Sequence, residues 1–187
     1  MMNTTLPQSN TAPACTALGS GVWLAFRHIA GTSAPAVPPP AAGAHLLSVE
    51  FCRRGRHALP AGDYCTIAAD GHAAVSMTAA GADDYYPGAV YEGLQFWIDP
   101  DAQTDSGFLA LMGLDVHGII NYFCAGGPYY CPMGDELAAL VDELWREFDV
   151  SGYASPGELR YAVVRLLYML LQLPYADQMA WYPRAQV

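Results

Sequence analysis

Five histidines, His28, His45, His57, His72 and His117, are the side chains that metal chemistry would recruit first. Histidines distant in sequence could converge on one ion in space, but nothing in the spacing of these five requires it. No His-x-His occurs, and no glutamate is suitably spaced, so the five read as surface or core residues. No serine stands in Gly-x-Ser-x-Gly, and Gly126-Gly127-Pro128 lacks the lysine and hydroxyl residue of a phosphate loop. The acid pairs Asp83-Asp84 and Asp99/Asp101 fall in polar turns. Five cysteines (Cys15, Cys52, Cys65, Cys124 and Cys131) form no Cys-x-x-Cys and read as small buried hydrophobes of a reduced, cytoplasmic protein. Nothing here supports catalysis, a metal or a cofactor.

Binding asks for less: apolar walls and a few fixed polar groups. The run from Gly19 to Ile29 alternates Val22, Leu24, Phe26 and His28 against Trp23, Ala25, Arg27 and Ile29. In Val90 to Ile98, Glu92 shares a face with Leu94 and Phe96. If these faces point inward, His28 and Glu92 become polar anchors among Phe26, Phe51 and Phe96. In the opposite register Trp97 and Gln95 serve. The sequence leaves that choice open.

The elements that must position these residues follow in order. Residues 1–17 are Thr, Ser, Asn and Pro without period and read as a disordered tail. After the first strand, Gly31 to Gly43 is a Pro/Ala/Gly linker. Short strands follow at His45–Cys52, Arg56–Leu59, Tyr64–Ala68, His72–Thr78 and Val90–Ile98. They are separated by turns at Arg53-Arg54-Gly55, Pro60–Asp63 and Ala69-Asp70-Gly71 and by a loop over Gly81–Gly88. Short strands at regular spacing predict a β-sandwich or small barrel.

After Asp99-Pro100 the period lengthens. Asp105–Met112 and Asp115–Phe123 predict two short helices, and Tyr129–Cys131 one more strand. Gly134–Phe148 is amphipathic, with Leu137, Leu140, Val141, Leu144 and Phe148 on one face. Ser155 to Pro174 predicts the helix that organises the chain, opened by the capping box Ser155-x-x-Glu158 with Pro156 at its first position. Leu159, Val163, Leu166 and Leu170 recur at helical spacing. Apolar residues continue around the other faces, so this helix needs cover on all sides. That makes the stripe a candidate interface with a second copy. Glu158, Arg160 and Arg165 argue against a membrane span.

The ordered set of features resembles the N-terminal domain of AraC-type bacterial transcription regulators. An apolar strand ends in a Cys-x-x-Gly-Arg turn at Cys52, Gly55 and Arg56. A Gly-x-Tyr strand follows at Gly62 and Tyr64, then a tight turn at Gly71. YYPGAVYEGLQFWIDPDA resembles the next strand; DVHGIINYFC, VDELWREFD and GELRYAVVRLLYMLLQL resemble the helical half. The resemblance spans roughly Leu46 to Leu173.

It implies a mainly β fold: a cupin-like (double-stranded β-helix) barrel over 18–100, then an antiparallel helix pair within a helical dimerisation subdomain over 101–175. Residues 176–187 would lead towards a DNA-binding unit not present in this chain. The implied role is to sense a small-molecule effector as a homodimer, without enzymatic activity. The alternative is a small cupin-type metal-dependent enzyme, an isomerase or dioxygenase.

Charge sets a limit on partners. Eight basic residues, all arginine, face eighteen acidic ones, for a net charge of −10. Without a basic stripe this polypeptide is a poor ligand for a phosphate backbone. The N-terminus has neither the basic nor the apolar region of a secretory signal.

Overall fold

The computed structural model describes residues 15–34, 45–61, 63–79, 84–151, 155–173 and 182–183. Most of the expected tail, linker and C-terminal segment lies outside them, as do the side chains of 148–151.

The chain opens with β1 (Cys15–Gly19) and β2 (Val22–Ala30), an antiparallel hairpin. The expectation of a tail through residue 17 is corrected: Cys15, Thr16 and Ala17 pair with Ala25, Leu24 and Trp23. Those backbone bonds come from the partner strand, which local composition does not report. After β3 (Ser33–Ala34) comes β4 (His45–Ala61), one strand where the sequence suggests two. The expected turn at Arg53-Arg54-Gly55 is a bend with a register shift between Cys52 and Arg54. β5 (Tyr64–Ala69) and β6 (His72–Ala79) return along β4, pairing with its second and first halves in turn. Asp70-Gly71 is therefore a second bend, not a reversal. The two bends are laced together, since Gly55 N donates to Asp70 Oδ1 (2.5 Å) and Gly71 N to Cys52 O (2.9 Å). At Gly55, with φ +96°, a Cβ would run into the Val90 carbonyl, so only glycine lets β4 pass that close.

This bent hairpin belongs to both halves of the sheet. One half runs β1, β2, β8 (Val90–Ile98), β4, β6 and β9 (Tyr129–Pro132). The other joins the far half of β4 to β5, β7 (Asp84–Tyr85), β3 and β10 (Tyr182–Pro183). The fold is thus mainly antiparallel β with helices after it, as expected. Among the described strands the sheet is open, with β1 and β9 ending it without pairing each other, and to that extent it departs from the expected cupin-like barrel.

Among the described residues four helices cover one face: α1 (Phe108–Leu111), α2 (Val116–Cys124), α3 (Gly134–Ser151) and α4 (Pro156–Leu170). The capping box expected at Ser155 is present: Ser155 Oγ accepts from Glu158 N and Glu158 Oε2 accepts from Ser155 N. One apolar core joins sheet and helices, with Leu24, Phe51 and Phe96 against Leu140, Val141, Val163 and Leu166.

Candidate functional site

The two faces of the sheet meet different surroundings. Leu24, Phe51 and Phe96 lie under the helices, and Phe26 packs half-buried against Trp145, ring centroids 5.9 Å apart. That face is filled by the chain's own core. Five of the six residues expected to line a ligand pocket, Phe26, His28, Phe51, Glu92 and Phe96, stand on or beside it. His28 and Glu92 do come together, as a cross-strand pair at 3.9 Å, but at the surface. Arg53 and Arg54 join them, at 3.6 and 4.0 Å from Glu92. Of the six, Trp97 alone is on the opposite face, against Ala25 and Leu46.

That opposite face, between the two halves of the sheet, carries the polar chemistry. Arg27, Ser48, Glu50, His57 and Gln95 are all buried there. Arg27 Nη1 donates to Gln95 Oε1 at 3.0 Å, and Gln95 Nε2 donates to Ser48 Oγ at 2.9 Å. Across the bend of β4, Glu50 Oε2 and His57 Nδ1 are 2.5 Å apart. The His57 ring stacks on Tyr86 at 4.8 Å and meets Tyr91 edge-on at 6.0 Å. The Arg27 guanidinium lies 5.6 Å over the Tyr86 ring. Tyr91 finds room because residue 93 is glycine; a Cβ there would come within 2.5 Å of the Tyr91 hydroxyl oxygen.

Electrostatics inside this cluster disfavour added negative charge. Burial first, and then the Glu50 carboxylate, push the Tyr91 phenol well above its ordinary range. The Cys52 thiol is raised by the same two causes, with Asp70 adding to them. Glu50 Oε1 and the Tyr91 hydroxyl are buried without a hydrogen-bond partner among the described residues. Natural proteins rarely leave such groups unpaired without a reason. A hydroxyl, able to donate to one and accept from the other, matches them chemically.

The sequence reading missed Arg27, Ser48, Glu50, His57, Tyr86 and Tyr91 as a group. Arg27 inside VWLAFRHIA and Ser48 and Glu50 inside HLLSVEFC alternate with apolar residues, which by itself marks a solvated face. Their burial comes from the second half of the sheet folding over them.

The α4 stripe is also placed. Leu159, Val163, Leu166 and Leu170, the expected interface stripe, are buried in the core of the single chain. The reason is that sheet and α3 supply the cover the sequence left unassigned. Tyr161, Tyr168 and Leu171 form the exposed side of the helix.

Among the described residues no cluster of three His, Cys, Asp or Glu side chains could hold a metal ion, and no helix is long and apolar enough to cross a membrane. No disulfide joins the cysteines.

No protein-family model and no curated protein matches the sequence. Among solved structures the chain is similar to the AraC-like transcriptional activator CuxR, with a TM-score of 0.53 and 14% identity. The match covers 89% of this chain and 57% of that one, so this chain spans little more than half of its structural neighbour. At this identity the likeness is one of fold: an AraC-like arrangement of antiparallel sheet and helices.

Proposed function

We propose that the chain is the effector-sensing and dimerisation part of an AraC-type transcription regulator, acting in the cytoplasm without enzymatic activity of its own. The observation that carries this reading is the likeness of fold to an AraC-like activator. The buried polar cluster between the two halves of the sheet supports it further. Apolar walls with few fixed polar groups are what a small-molecule site requires, and Glu50 and Tyr91 offer hydrogen-bonding atoms that nothing described here satisfies. The effector site is therefore assigned to the Arg27–Glu50–His57–Tyr91–Gln95 side of the sheet with Trp97 at its margin, rather than to the Phe26–Phe96 side. Two copies would pair through the outer surface of α4, at Tyr161, Tyr168 and Leu171. With a net charge of −10, DNA contact falls to a separate unit.

The test is a thermal-shift screen of sugars, amino acids and small organic acids against the purified chain, repeated on Tyr91→Phe. A compound at about 100 times its Kd stabilises the fold by about 2.7 kcal/mol, a rise of roughly 5–10 °C for a chain of this size. The expected result is at least one such compound, bound roughly tenfold more weakly by Tyr91→Phe. Stabilisation that Tyr91→Phe leaves intact overturns the site. A panel without any stabilising compound overturns the sensing role.

A further inference from the structure

The outer side of the β4 bend carries a feature that the effector site does not use. Three of the eight basic residues of this acidic chain fall within four positions, at Arg53, Arg54 and Arg56. Arg53 turns to α3, where its Nε lies 2.7 Å from Asp142 Oδ1. The other two line a cleft of about 290 Å³ together with Gly55, Asp70, Pro87, Gly88 and Val90. Arg54 and Arg56 flank Gly55 at the bend, and both are exposed where they line the cleft. Arg54 has only a 4.0 Å approach to Glu92, and Arg56 makes no ion pair among the described residues. The cleft is at the small end of ligand sites, a size for an ion or one charged group rather than a whole cofactor.

We infer that this cleft binds a phosphoryl group through the guanidinium groups of Arg54 and Arg56. Planar guanidinium forks match tetrahedral oxyanions with paired, charge-assisted hydrogen bonds. Two of them offset the dianion. The nearby acids define the pose. Asp70 is partly engaged by the Gly55 amide, and its remaining oxygen is an acceptor that repels an anion but suits a hydroxyl on its carrier. Glu92 approaches Arg54 at 4.0 Å and competes for it. The site is independent of the proposed effector site, being on the other side of the bend.

The test is a titration of the ¹⁵N-labelled chain with inorganic phosphate at constant ionic strength, and in parallel with glycerol 3-phosphate. Saturable shifts are expected at the amides of Gly55, Arg56 and Gly88. Arg54→Gln/Arg56→Gln, both exposed, should weaken binding at least roughly tenfold. Asp70→Asn should tighten inorganic phosphate by roughly two- to threefold, and Arg165→Gln on α4 should change nothing. Tighter binding of glycerol 3-phosphate identifies a phosphomonoester as the ligand; equal binding identifies the free ion. Absence of saturable shifts, or shifts that persist in the double variant with its spectrum otherwise folded, overturns the proposal.

Discussion

Glu50 and His57 belong to one strand, seven residues apart, yet Glu50 Oε2 lies 2.5 Å from His57 Nδ1. On a straight strand they would be about 23 Å apart and on opposite faces. The bend at Arg53–Gly55 and the register shift after Cys52 remove both separations. The pair thereby clamps the near half of the sheet to the far half. Removing the Glu50 carboxylate takes away the buried partner that His57 Nδ1 has across the bend. Glu50→Ala is expected to lower unfolding free energy by about 3 kcal/mol in urea titrations. A loss within about 0.5 kcal/mol would show that the pair does not hold the bend.

Arg53 is the polar bridge between the bend and the helices. It reaches Asp142 at 2.7 Å and lies 4.7 Å from the centre of the Trp145 ring. Both ion-pair partners are partly exposed, so the coupling is modest. A double-mutant cycle of Arg53→Met and Asp142→Ala should give roughly 0.5–1 kcal/mol. Amide exchange in α3 should quicken in Arg53→Met while the centre of α4 keeps its protection.

Tyr91 makes the fold sensitive to alkali. Its phenol is raised in the folded state by burial and by Glu50, so the folded chain holds the proton longer than the unfolded one. Its contribution is then complete below about pH 10, the unfolded value, and declines as pH rises towards the folded value. Tyr91→Phe should show a shallower loss of stability above about pH 10, measured by denaturant midpoint against pH. Equal slopes would refute the coupling.

Two glycines are fixed by space rather than by turn preference. Gly55→Ala meets both a left-handed backbone and the Val90 carbonyl, and Gly93→Ala meets the Tyr91 hydroxyl oxygen and, at 2.8 Å, the Phe51 carbonyl. Each should cost about 3 kcal/mol or more. Gly55→Ala should be the worse, because both of its penalties fall on backbone that cannot move aside. Denaturant midpoints rank the two.

Ser155→Ala removes one half of the box that opens α4 and should cost about 1 kcal/mol. Glu158, the other half, is held below its ordinary range by hydrogen bonds to the Ser155 side chain and backbone. Its stabilisation is present above about pH 4 and fades as pH falls through the folded value. The variant's deficit should therefore shrink in acid.

What was legible in the sequence was local. The capping box at Ser155, the helical spacing of Leu159 to Leu170 and the alternation in Val90–Ile98 each rest on residues close together in the chain. Their elements stand where the pattern places them, because capping, periodicity and alternation are short-range geometry. Which face each element turns to which neighbour was not legible. Val22, Leu24 and Phe26 look like an inward face, and they are one, but inward means towards α3 and α4. Arg27 and Gln95 look like the outward alternative, and they are buried as well, because a second half-sheet folds over them. That second burial depends on β4 bending at Gly55 instead of turning there. The bend is fixed by contacts from Asp70 and Val90, distant in the chain, which no local pattern of residues 53–56 contains. The sequence by itself determined a β-rich half, a helical half and the residues able to line a site; the tertiary structure alone chose the face on which they meet.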